Sequence, residues 1–225
     1  MIRSRTVSGT PLLVIEDLDL FLNTCHGKAQ MLHHVSFSLD HGTCMCLVGE
    51  SGCGKTLTAL SILGLVSAVH GTIENGRILF QGQDLLQATE KKLRTIRGDS
   101  ISMIFQNPAS ALNPYLRISE QLIEGLIHHK RVTEKEALRK GIDLMEKVGI
   151  PDARNRIHDF PHRFSGGMLQ RIMIATALMT SPALIIADEP TSALDVTIQG
   201  QTLELLDDLR KNADTAIMLI THDLG

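Results

Sequence analysis

Aromatic residues make up only 3% of this 225-residue chain, with no tryptophan and a single tyrosine, and neither sign of charge dominates: 22 Lys+Arg face 25 Asp+Glu, a formal −3. A dedicated nucleic-acid binder usually carries a basic excess and aromatic stacking platforms, so nucleic acid is excluded from the expected partners. The apolar stretch 172–187 is broken by Thr180, Ser181 and Pro182. It falls short of the roughly 20 apolar residues that a membrane-spanning helix needs. The short apolar run near the N-terminus meets Glu16 and Asp17 at once, which is not a secretory pattern and predicts a cytosolic protein. Four cysteines (Cys25, Cys44, Cys46, Cys53) lack paired CxxC spacing, so we expect small buried thiols and no metal site. What remains is 43% hydrophobic residues and 18 glycines. That is enough for a real core, as one domain with an insertion or two small domains.

Hydrophobic periodicity orders the chain. Residues 44–48 form a short apolar strand that ends in glycine, and residues 56–66 read as a tightly packed helix. Residues 77–80 and 101–105 read as short strands, with the charged stretch 84–99 as exposed turn and helix between them. Helical spacing then covers 118–130 and 133–148. In the second of these, Thr133 and Glu136 form a capping box ahead of an apolar stripe at Ala137, Leu138, Ile142 and Met145. Residues 183–187 are fully apolar, as a central parallel strand requires; a helix over 196–211 and a strand over 216–221 follow. The pattern is a parallel α/β core interrupted by a helical insertion near 107–181.

The sharpest local signal is Gly49-Glu50-Ser51-Gly52-Cys53-Gly54-Lys55-Thr56, which fits G-x-x-x-x-G-K-[ST] between a strand and a helix. Glycines let the backbone wrap so that successive N–H groups and a helix N-terminus face phosphate oxygens. Lys55 would add positive charge for the β- and γ-phosphates, and the Thr56 hydroxyl would ligate Mg²⁺. The apolar run 184–187 ends in Asp188 and Glu189, at the strand tip where ligands bind in open α/β sheets. Asp188 would hold the metal, and Glu189 would orient or deprotonate the attacking water. Further on, Ser165 is a good N-cap, and Gly166 and Gly167 permit close backbone approach at a positive helix end. His222 follows an apolar strand and ends next to the expected phosphate cleft, while the other nine histidines show no ligand-like clustering.

Together with Gln106, the Ser192-Ala193-Leu194-Asp195 turn and Thr221-His222-Asp223, these segments resemble the ABC transporter ATPase family, with six motifs in that family's order. The resemblance implies a P-loop NTPase (ABC ATPase) α/β fold: a parallel sheet, an N-terminal antiparallel β part and an inserted helical subdomain. It implies a nucleotide-binding core of residues 1–106 and 182–225 and a helical subdomain of 107–181. Gln106 matches the family's Mg²⁺-sensing glutamine. Ser165, Gly166 and Gly167 match the signature that reaches the γ-phosphate held by the other subunit. Asp188 matches the metal aspartate, Glu189 the catalytic glutamate, Asp195 the dimer-interface turn and His222 the histidine that contacts the γ-phosphate. The implied machine is a head-to-tail dimer holding two ATP molecules with Mg²⁺. Two departures stand out. Met168 occupies a signature position where many members have Gln, and Ala29 stands near the place of an aromatic that stacks on adenine, so that Phe21 or a partner chain would have to replace it.

Residues 102–115, 161–168 and 186–196 look like the oligopeptide, dipeptide and nickel importer branch, and the likeness runs from about residue 12 to the end. It implies an ATPase that powers peptide uptake, with nickel import as the alternative and a soluble ABC-type ATPase acting on DNA or ribosomes as a reading from another class. Implied partners are two membrane permease subunits, docked at 107–117, a second related ATPase subunit and an extracytoplasmic solute-binding protein. The implied location is peripheral, on the cytoplasmic face of the inner membrane. Because family members continue beyond His222, the chain reads as truncated at its C-terminal end.

Overall fold

Two kinds of strand pattern build two sheets, and the computed structural model describes them through residues 10–25, 27–190, 199–200, 204, 206–208, 210–211 and 214–222. The chain opens with β1 (Leu13–Thr24) and β2 (Gly27–Leu39), then runs through β3 (Cys44–Val48) into α1 (Lys55–Ile62). Next come β4 (Gly71–Phe80), β5 (Gln83–Asp84), α2 (Glu90–Ile96) and β6 (Ile101–Ile104). Helices α3 (Pro108–Ala111), α4 (Ile118–Lys130), α5 (Glu134–Lys147), α6 (Ala153–Arg156) and α7 (Gly166–Leu178) precede β7 (Leu184–Asp188) and β8 (Ala216–Thr221). Residues 199–211 are helical wherever they are described.

The first sheet is antiparallel with strand order β2-β1-β4-β5; the second is parallel with order β3-β8-β7-β6. Strand β7 is buried along its whole length, and its alternate side chains enter different cores. Leu184 and Ile186 pack with the antiparallel sheet, α1 and α2, whereas Ile185 and Ala187 pack with the helical layer. Strand β8 divides in the same way, with Ala216, Met218 and Ile220 on one side and Ile217 on the other. A parallel strand covered on both faces has no use for polar alternation, which is why 184–187 reads as one apolar run. Each large side chain buried there contributes roughly 1.5–3 kcal/mol.

Helix α4 and strand β8 span the residues expected of them, and the Thr133 capping box is formed: Thr133 N–H donates to Glu136 Oε2 at 3.0 Å. The apolar stripe of α5 is turned from the expected one. Ala137, Gly141, Leu144 and Met145 are buried, while Leu138 and Ile142 are half-buried. Gly141 explains the turn: a Cβ there would stand 2.9 Å from Leu122 Cδ2, so α4 approaches α5 at the one position without a side chain.

The expected burial of the thiols is overturned, since all four cysteines are exposed. In β3 the exposed residues are Cys44, Cys46 and Val48, while Met45 and Leu47 pack on the core. Among the described residues β3 pairs only with β8, and Cys44 shares a small cavity with Leu206, Asp207 and Arg210. Partial burial and the neighbouring Cys46 thiol still push the Cys44 thiol up to about 11. His34 is structural as expected: its Nδ1 lies 2.7 Å from Asp17 Oδ1, and that contact raises its pKa.

Candidate functional site

The loop between β3 and α1 takes a shape that only glycine permits at its critical turn. Gly54 has φ 94°, and a Cβ on it would lie 2.5 Å from Leu32 Cδ2 and 3.2 Å from the Met31 carbonyl. The antiparallel sheet therefore sets the loop's position by direct contact with β2. Lys55 is 8% exposed, and its Nζ donates to the carbonyls of Gly49 at 2.6 Å and Glu50 at 2.7 Å. Cys53 Sγ lies 3.7 Å from the same ammonium.

Thr56 Oγ1 donates to Asp188 Oδ2 at 2.8 Å across 132 residues of sequence, bringing the first turn of α1 to the tip of β7. Burial raises the Asp188 carboxyl above the ordinary aspartate range, and the Thr56 bond and the Lys55 charge only partly offset it. Glu189, one residue further, has a left-handed φ of 47°, and its N–H donates to the Ile220 carbonyl at 2.9 Å. Both of its carboxylate oxygens are engaged: Gln106 Nε2 donates to Oε2 at 2.6 Å, and His222 Nδ1 lies 2.8 Å from Oε1. A carboxylate oxygen only accepts, so the proton of that pair sits on His222 Nδ1. A positive φ in a residue with a side chain costs of order 1 kcal/mol or more, and such strain gathers at functional sites.

These residues surround a cavity of about 290 Å³ lined by Ser51, Gly52, Gly54, Lys55, Thr56, Gln106 and Glu189, and by Leu22, Met31 and Leu57. The lining thus combines polar, donor-bearing residues with three apolar ones. Thr56 Oγ1 and the Asp188 carboxylate form an oxygen pair, with the Gln106 side chain close by on Glu189. Such a pair suits Mg²⁺, a hard cation that keeps several of its waters. Asp188, held above its ordinary pKa by burial, is a carboxylate that a cation would favour in its charged form.

Of the loop Gly49, Glu50, Ser51, Gly52, Cys53, Gly54, Lys55 and Thr56, the last is bonded to Asp188, and Gln106, Glu189 and His222 form one hydrogen-bonded chain. Ser165, Gly166 and Gly167 stay apart from the cavity. Ser165 caps α7 by accepting from Met168 N–H at 3.4 Å, and nothing lies within 4 Å of a Cβ placed on Gly166. Asp195, with its turn, and Asp223 lie outside the described residues. Leu22, Met31 and Leu57 were not singled out from the sequence. Leu22 pairs with Ala29 on β2, but the ladder shifts register between Leu20 and Phe21, beside Met31, so strand period alone does not announce that side chain. Phe21 does not supply the absent aromatic; it is not part of the cavity wall, and its ring is covered by the Lys28 ammonium at 4.7 Å.

Residues 32–192 match the family model described as ABC transporter. Among curated proteins, the oligopeptide transport ATP-binding protein OppD of Bacillus subtilis is 47% identical over 216 residues, 96% of this chain and 60% of that protein. The dipeptide transport ATP-binding protein DppD of Bacillus subtilis is 47% identical over 214 residues, 95% of this chain and 64% of that protein. The chain therefore spans about three fifths of the length of these relatives. Among solved structures, a dimeric ATP-binding cassette in a post-hydrolysis state with ADP and Pi superposes with a TM-score of 0.84 at 24% identity, covering 94% of this chain and 88% of that one. The cassette cbiO1 of Clostridium perfringens gives a TM-score of 0.77 at 25% identity, covering 96% and 80%.

Proposed function

The chain belongs to the ABC transporter family, and from that premise we propose that it is the ATP-binding and ATP-hydrolysing subunit of an importer that takes up oligopeptides or dipeptides through a membrane permease. The observation that carries the chemistry is the bond from Thr56 to Asp188, which sets a metal-type oxygen pair between the Lys55 loop and Glu189 in one cavity. The peptide assignment is supported by the relatives, which are peptide transport ATP-binding proteins by name.

In this reading the loop N–H groups and the N-terminus of α1 bind the phosphates. Lys55 exchanges its carbonyl partners for phosphate oxygens, and Leu22 and Met31 receive the apolar base. Thr56, Asp188 and Gln106 hold Mg²⁺, which supplies charge neutralisation on the phosphoryl oxygens when bound. Glu189 accepts a proton from the attacking water, and His222 holds the imidazole N–H that steadies the carboxylate. Ser165 and its glycines would complete the cavity of a second ATPase subunit, so this chain and its partner share two sites. Residues 1–106 and 182–225 act as the nucleotide-binding core, and 107–181 as the helical subdomain.

Between β6, α3, α4 and α7 lies a second cavity of about 310 Å³, apolar and lined in part by Met103, Phe105, Leu112 and Met173. Phe105, Tyr115 and Leu116 expose large apolar surface beside it. This face, next to Gln106, is where the permease subunits would dock, joined outside by a solute-binding protein. Among the described residues no helix is long and apolar enough to cross a membrane, and the proposed seat is peripheral, on the cytoplasmic face. The test is to purify the full-length protein from its own cells in mild detergent and identify its companions. Two permeases and a related ATPase are expected; ribosomes or DNA-repair factors in their place would overturn the transport reading.

A further inference from the structure

Helix α7 carries an amide where apolar packing would cost less. Gln170 is 1% exposed among the residues of the helical core, and its Oε1 is buried with no hydrogen-bond partner. Its Nε2 makes one bond, donating to the Pro190 carbonyl at 2.8 Å, 20 residues away in sequence. A buried amide with an unmade acceptor bond is a poor choice for stability alone. What the bond achieves is a tie between two segments that the reading above uses separately. Helix α7 begins at the Ser165 cap, five residues before Gln170, and Pro190 directly follows Glu189. Glu189 sits in a left-handed conformation and is fixed on its N-terminal side by the bond to Ile220. On its C-terminal side Gln170 supplies a hydrogen bond to the backbone.

We propose that Gln170 is a positioning residue that holds the Glu189–Pro190 segment and mechanically joins the Ser165 end of α7 to the carboxylate that activates water. It rests on the function proposed above. A displacement of Ser165, on meeting nucleotide held by the partner subunit, passes along a rigid helix and reaches Glu189 through this one bond. Gln170 touches neither nucleotide nor water, so its effect falls on kcat and leaves binding alone.

The experiment measures steady-state ATP turnover by the full-length protein and its Gln170→Met variant, which keeps length and volume and removes the donor. We expect kcat to fall about tenfold, with KM for ATP changed less than twofold. In a Glu189→Gln background, the same substitution should cost no further rate in single-turnover measurements, because both changes act through one carboxylate. Should Gln170→Met fail to fold by circular dichroism, Gln170→Leu, which also removes the donor and buries no charge, carries the same two measurements. Wild-type kcat in a folded variant would overturn the proposal, as would a loss that multiplies with Glu189→Gln or appears mainly in KM. A wild-type protein that binds ATP and does not turn it over would overturn the functional reading itself, and this inference with it.

Discussion

The two helix N-termini proposed to meet nucleotide, those of α1 and α7, are built differently. At α1 the N-terminus is enclosed: Lys55 is buried against its own loop, Thr56 is bonded to Asp188, and Gly54 is pressed against β2. At α7 the N-terminus stands open, with a capping serine and a glycine that has space around it. The enclosed end has its partners within the chain, and the open end has the form of a surface that finishes something else. If the proposed nucleotide site is divided in this way, one chain would load it and two would complete it.

The sharpest way to break that contrast is at Glu189, which lines the enclosed cavity. Glu189→Gln should lower ATP turnover by about 10²–10⁴-fold while ATP binding and ATP-driven dimerisation persist; normal turnover in a coupled phosphate assay would remove Glu189 from its role. At the open end, Ser165→Ala should reduce turnover by about 10²-fold with ATP affinity of the isolated chain unchanged, and a matching loss of affinity by calorimetry would show that the two ends are not separate. Lys55→Ala should weaken ATP binding by about 10–100-fold, as the loss of a charge-assisted contact implies, and unaltered binding would count against the phosphate loop. Ala29→Tyr places a ring beside Leu22, the β1 residue paired with it, and should tighten ATP by about fivefold, the low end of a base-stacking contribution; an unchanged titration would put the base elsewhere.

The smallest effect is expected at Asp188. Burial raises its folded-state pKa, so the folded protein holds that proton more tightly than the unfolded chain, and this contribution to stability fades as pH rises through the folded value. At neutral pH the ionised group is therefore a cost, and Asp188→Asn should raise the melting temperature of the nucleotide-free protein by about 1–3 °C. The same variant should lose the further rise that Mg²⁺ and ATP give the wild type. A fall in the nucleotide-free melting temperature would contradict the burial argument.

Local signals were legible and long-range partnerships were not. The phosphate loop, α4, β7, β8 and the Thr133 box each lie within one stretch of chain, where spacing and composition dictate the outcome. The bonds from Gln106 and His222 to Glu189 span 83 and 33 residues, and no periodicity announces them. Gln106 entered the sequence reading through family likeness, and His222 through its place after an apolar strand as well; their bonds to Glu189 did not enter it. The turned stripe of α5 follows from Gly141 against Leu122, a contact that helical spacing does not contain. Cys44 and Cys46 read as buried because free cysteines usually are, and which layer covers each face of β3 is not written in its five residues.

Strands β6 and β7 are parallel neighbours, with Ile104 opposite Ala187, yet all of α3 to α7 lies between them in the chain. Topologically the helical layer is an outsized crossover, and whatever its length it must bridge only about one strand length, roughly 10–13 Å at 3.3 Å per residue. The entropy of closing such a connection grows only with the logarithm of its length, about 0.6 kcal/mol per doubling. Segments of this layer can therefore lengthen, shorten or be exchanged without moving the strands out of register, and the catalytic sheet can stay constant while the surface offered to other proteins changes.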